Sequence, residues 1–208
     1  MPSRSPAASR HLALFRLVTV TLALALASTA TVALASAASH AMMGRTQVGH
    51  FAPFLSSGKI AAGYAVVKST YGYCWTTSDA TPRKDAYRCM HGNELFDPCF
   101  RNPRGTEVAC AVGVSPPKVD VLALTRKLPA PSGMRATQAF ALVLAGGATC
   151  WFDTGATFVW KGRRANFGCP NRLWLFGHVD RTHEPWTIEA GKGLHPHPKW
   201  VKVAQAWF

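Results

Sequence analysis

From about residue 62 onward the apolar positions come in brief runs, cut apart by Gly, Pro and polar residues. Val66-Val67, the segments opening at Cys74 and Cys150, Thr157-Phe-Val-Trp160, Trp186-Thr-Ile188 and Val201 to Val203 are β-branched or aromatic, which is how short strands read. Gly146-Gly147, Asp153-Thr-Gly155 and Lys161-Gly162 between them carry turn chemistry. No stretch after residue 37 keeps a helical apolar period long enough for a major helix. The pattern predicts an all-β fold.

One run is different. Leu17 to Ala35 is almost unbroken apolar sequence, preceded by Arg4, Arg10 and Arg16 without an acid and followed by small residues through Ser39. A basic start, an apolar middle and an Ala-x-Ala site make a secretory signal peptide over residues 1–37, a signal helix cleaved after Ala35 or Ala37. The run of 19 residues is also just long enough to span a bilayer, so an uncleaved anchor is the competing reading. Thr19, Thr21, Ser28, Thr29 and Thr31 dilute the run and favour cleavage.

Two octets frame the rest. Cys74 to Thr81 and Cys150 to Thr157 lie 76 residues apart and share Cys, Trp, Ala and Thr at the same offsets. Upstream, residues 63–68 (Gly-Tyr-Ala-Val-Val-Lys) align with 139–144 (Ala-Phe-Ala-Leu-Val-Leu). Downstream, Leu95-Phe96 follows Cys89 as Leu175-Phe176 follows Cys169, and Val119 to Leu124 aligns with Val201 to Ala206. Four matched blocks in one order predict a duplicated unit of about 70 residues. The first β unit is set at 62–128, a Pro-rich linker at 129–137 and the second β unit at 138–208, each barrel- or sandwich-like. Residues 38–61 have no clear pattern and form an N-terminal extension, either a tether or an added edge strand.

All six cysteines (Cys74, Cys89, Cys99, Cys110, Cys150 and Cys169) follow the signal, and an even count in an exported chain reads as disulfides. The sequence has no Cys-x-x-Cys pair to seed a zinc site. If each unit keeps its own staple, the pairs are Cys74–Cys89 and Cys150–Cys169, leaving Cys99–Cys110 to the first unit alone.

Charge then narrows the partners. The chain carries +13, and removing residues 1–37 leaves about +10, which draws it toward anionic polymers. The candidate binding loop is Phe158 to Phe167, where Trp160, Lys161, Arg163 and Arg164 meet at a hairpin, with Arg172 close by in sequence. Arginine forks suit phosphate and carboxylate, and aromatic faces stack on sugars or bases. In the first unit Arg83, Lys84 and Arg88 fall in the corresponding loop. The bland alternative is that these cations only solvate hairpin tips.

Asp153-Thr154-Gly155 has the local form of an aspartic protease loop. That chemistry needs two carboxylates sharing a proton, and the first unit has Thr77-Ser78-Asp79 there, with no acid opposite Asp153. A strand-end turn explains the tripeptide. His178, His183, His195 and His197 have no diagnostic ligand spacing, so no metal or other cofactor is implied.

The stretch YCWTTSDATPRKDAYRCMHGNELFDPCF, with the later CWFDTGATFVWKGRRANFGC and the closing AWF, resembles a set of uncharacterised secreted proteins from actinobacteria, from about residue 60 onward. The resemblance implies export and no particular activity.

The expectation is a secreted or envelope-associated, non-catalytic interaction module that binds an anionic cell-envelope polymer or an acidic protein. A secreted enzyme inhibitor and an extracellular hydrolase are the alternatives. Export argues against nucleic acid, and a membrane enters only through the signal segment.

Overall fold

The computed structural model describes residues 44–131 and 138–208. The signal expected over residues 1–37 lies outside the described residues, as do 38–43 and linker residues 132–137. Within the described chain a short strand, β1 (Gln47–Gly49), precedes two closed barrels. Among the described residues no helix is long and apolar enough to cross a membrane.

The first barrel is a five-strand meander: β2 (Ala65–Thr77), β3 (Ala86–His91), β4 (Glu94–Arg101), β5 (Glu107–Val114) and β6 (Pro117–Leu124). Successive strands are antiparallel. An odd number of such strands leaves the first and last running the same way, so the barrel closes through a parallel β2–β6 ladder. The second ring holds six strands: β7 (Ala141–Leu144), β8 (Thr149–Phe152), then, after the two-residue β9 (Val159–Trp160), β10 (Arg163–Cys169), β11 (Leu173–Asp180), β12 (Thr187–Lys192) and β13 (Lys199–Trp207). β9 pairs with β10 outside the ring, and the even count makes the β13–β7 closure antiparallel.

The extra strand has a visible origin. At the repeat offset, the thirteen-residue β2 corresponds to β7, a turn and β8 together. Thr70-Tyr71 of β2 is replaced by Gly146-Gly147, and Gly147 takes φ +82°, a left-handed conformation that glycine adopts without strain. The strand folds back there as a hairpin, closed by Gly147 N–H to Leu144 O at 2.8 Å. In the first barrel the same stretch runs straight on and changes partners at Gly72, from β6 before it to β3 after it. The duplication in the sequence is thus two similar β units that differ in how they close.

All three disulfides lie between neighbouring strands in the pairing expected from the repeat: Cys74–Cys89, Cys99–Cys110 and Cys150–Cys169. They fit an oxidising environment. A loop of 15 residues closed this way is worth about 3 kcal/mol in the chain-entropy model. The first barrel's small interior depends on such staples, since four of its eight buried core residues are cysteines. The second barrel's interior is larger and mostly aliphatic, around Leu142, Leu175, Ile188 and Val203.

A third core lies between the barrels. Phe51, fully buried, stands at its centre with Phe100 from the first barrel and Phe140 from the second, at centroid distances of 5.3 and 5.6 Å. The extension that brings Phe51 here is laid along β13: β1 pairs with it in parallel, and the Thr46 hydroxyl donates to Val203 O at 2.8 Å. Part of residues 38–61 is therefore an added edge strand, with a core residue following it.

Candidate functional site

The hairpin from β9 to β10 turns on two residues, Lys161 and Gly162, at φ +48° and +76°. Both are left-handed, the backbone of a type I′ turn, whose twist matches the strands it joins. Trp160 and Arg163 therefore stand directly opposite, with Lys161 exposed at the tip. The Lys161 ammonium lies 5.4 Å from the Trp160 ring centre, and His195 packs edge-on against that ring at 5.5 Å.

The hairpin lies against the outer wall of the second barrel. Leu175, Ile188 and Val203 face its interior, so strand alternation turns Trp174, Phe176, Glu189 and Trp200 outward. Phe158 stacks on Trp174 at 5.1 Å. Phe176, Glu189 and Trp200 form a cross-strand row over β11, β12 and β13. Arg163 contacts two members of that row, ion-paired with Glu189 and 5.5 Å from the Phe176 ring centre. Trp200 is 61% exposed, and Lys202 follows it on the same face.

Not every predicted cation faces solvent with free donors. Arg164 donates to the carbonyls of Asp153 and Gly155 at 2.7 and 3.0 Å, holding the Asp-Thr-Gly loop to β10. The Asp153 carboxylate accepts the Thr157 hydroxyl of its own loop at 3.0 Å. Arg172 is exposed in a left-handed turn at φ +56°, but at the far end of β10. Strand length alone puts it roughly 20 Å from Lys161.

The first unit's loop is held mostly by internal bonds. Arg83 donates to Asp85 at 2.7 and 3.0 Å and to the carbonyls of Phe51 and Phe208 at 2.9 and 3.1 Å, with its guanidinium 4.6 Å from the Phe100 ring centre. Arg88 pairs with Asp79 at 2.7 Å. Lys84 alone of the three is exposed.

Beside Arg88 the Asp97 carboxyl is sequestered, its side chain 3% exposed. It accepts the Ser78 hydroxyl at 2.5 Å and the Asp79 N–H at 3.2 Å. Burial pushes its pKa up to about 6, outweighing those hydrogen bonds and the neighbouring Arg88 charge, which favour the carboxylate. Ser78 also accepts the Thr81 N–H at 3.0 Å, so this acid anchors the loop between β2 and β3.

Sequence reading missed Trp200, Lys202 and Glu189. The signal was available in Trp200-Val201-Lys202-Val203: if both valines face the core, the residues alternating with them face out. Of the histidines, His195 packs on Trp160 and His183 takes part in a hydrogen bond with the Thr182 hydroxyl at 2.9 Å. Among the described residues no three His, Cys, Asp or Glu side chains are grouped to hold a metal ion.

The wall presents cations beside aromatic faces, an arrangement that holds anionic groups through charge and rings through stacking. No protein-family model, no curated protein and no solved structure matches this chain.

Proposed function

We propose that this chain is an exported, non-catalytic binding module that grips an anionic cell-envelope polymer with the outer wall of its second barrel. The observation that carries this reading is the placement of Lys161. A type I′ turn favours Asn or Gly at its first position, and a lysine there is strained by roughly 1 kcal/mol. Here that strain holds an exposed lysine beside Trp160, on the hairpin whose Arg163 pairs with Glu189, the cross-strand neighbour of Trp200. The one acid in that row is already paired with Arg163, so Lys161 and Lys202 add uncompensated positive charge. The three disulfides and the expected signal peptide agree with work outside the cytoplasm.

Co-sedimentation with purified bacterial cell walls tests the reading. The protein should pellet at low salt and be released as NaCl rises toward 0.5 M, about where screening shortens to a few ångströms. Acid extraction of anionic polymer from the walls should abolish the pellet. Retention that ignores both salt and extraction would overturn the reading.

A further inference from the structure

The two Cys-Trp copies have different fates. Trp151 stands opposite Gly168 in regular pairing and packs between the barrels, 6.0 Å from Phe140. Trp75 has no residue opposite it. Cys74 pairs with Cys89 and Thr76 with Arg88, so Trp75 is the extra residue of a bulge in β2 and is 44% exposed. A bulge re-aims a side chain, and this one directs an indole to solvent where its counterpart is partly buried against the inter-barrel core.

Trp75 is not isolated. Cys74 faces the barrel interior, so alternation places Tyr71 and Tyr73 outward on the same strand. The three aromatic residues sit about 7 Å apart in sequence order, a row of roughly 13 Å. Tyr71 is 63% exposed. Arg126 lies 4.0 Å over the Tyr73 ring, with no acid paired to it among the described residues, and Lys127 beside it is exposed. Leu95, 47% exposed and opposite Met90, borders the row.

We propose that this outer face of β2 is a docking platform for an anionic polysaccharide, with Tyr71 and Trp75 stacking on sugar rings and Arg126 taking an acidic substituent. The apolar C–H face of a sugar suits an exposed ring, and a linear array of rings suits a chain of them. The cations make an acidic chain fit better than a neutral one. The disulfides place the partner in an oxidising compartment, which selects a polysaccharide over a single-stranded nucleic acid, the other polymer that stacks on such rows. The platform goes beyond the basic wall of the second barrel and shares none of its residues.

Affinity electrophoresis through gels containing alginate, a linear polyuronate, tests it with the full chain. At 0.5 M NaCl, where binding by charge alone is largely screened, alginate should still retard the protein. Tyr71→Ala and Trp75→Ala should each weaken that retardation by about tenfold, in line with the worth of one stacked ring. Both side chains are exposed, so near-ultraviolet circular dichroism should confirm that the variants fold. Arg126→Gln should weaken retardation by alginate and leave that by uncharged hydroxyethyl cellulose unchanged. No retardation at 0.5 M NaCl, or retardation indifferent to Trp75→Ala, would overturn the proposal. So would tighter binding of oligothymidylate than of alginate, or a sedimenting dimer that Trp75→Ala dissociates. Cell-wall retention at low salt is read separately, so the basic wall and this platform fail independently.

Discussion

Tyr64 and Phe140 occupy the same position in the two repeats, and both pack against one ring, that of Phe51. The centroid distances are 4.9 and 5.6 Å, edge-on in each case. The duplicated units thus meet through equivalent residues, but through a third element that belongs to neither copy.

Phe51→Ala should therefore cost more than its place outside both repeats suggests. Removing a fully buried phenylalanine costs about 3–5 kcal/mol, and here the cavity opens between the barrels. Guanidinium denaturation followed by tryptophan fluorescence measures it. A loss below about 1 kcal/mol would show that the barrels do not depend on this ring.

The two tryptophans of the repeat should separate in the same assay. Trp151→Ala opens a hole in the inter-barrel core and should cost on the order of 3 kcal/mol. Trp75→Ala removes an exposed side chain and should stay within about 1 kcal/mol of the parent. Equal losses would contradict the assignment of one to the core and the other to a surface.

Asp97 makes a pH prediction of definite sign. Its folded pKa of about 6 lies above the ordinary 3.8, so the folded protein holds that proton more tightly than the unfolded chain. The stability this confers is full below about pH 4 and is lost as pH rises through 6, on the order of 3 kcal/mol in all. The parent should therefore lose stability relative to Asp97→Asn between pH 4 and pH 7. A difference between the two that stays flat over this interval, or moves the other way, would refute the buried-acid account.

At the hairpin tip, strain and charge can be pulled apart. Lys161→Asn places a residue suited to the left-handed turn and should raise stability by about 0.5–1 kcal/mol. The same change removes the exposed charge and should reduce wall binding. A variant that is both less stable and equally well bound would remove the reason for singling out this residue.

The repeat, the disulfide pairing and the strand-rich class were legible because each rests on local or periodic signals. Cys-Trp at a fixed interval marks equivalent strands, and equivalent strands dictate which cysteines can meet. The parity of the barrels was not legible, because it turns on Gly146-Gly147 folding one strand into two, and a glycine pair reads equally well as a loop. Phe51 was hidden by its setting: a single ring in an unpatterned segment has no periodicity to reveal what it packs against. The basic loops looked alike in sequence, yet Arg83 bonds to Asp85 and main-chain carbonyls while Lys161 is exposed. Partners that lie 125 residues away, as Phe208 does from Arg83, leave no trace in a local reading.

The most direct measurement of the central claim is low-salt retention on purified cell walls by the protein and by its Lys161→Glu, Lys202→Glu double variant, with circular dichroism to confirm that both fold. Reversing two exposed charges on the wall that carries Trp160 and Trp200 should weaken retention at least tenfold and flatten its salt dependence. Undiminished retention of the double variant, with the same salt dependence as the parent, would contradict a polymer-binding role for this face.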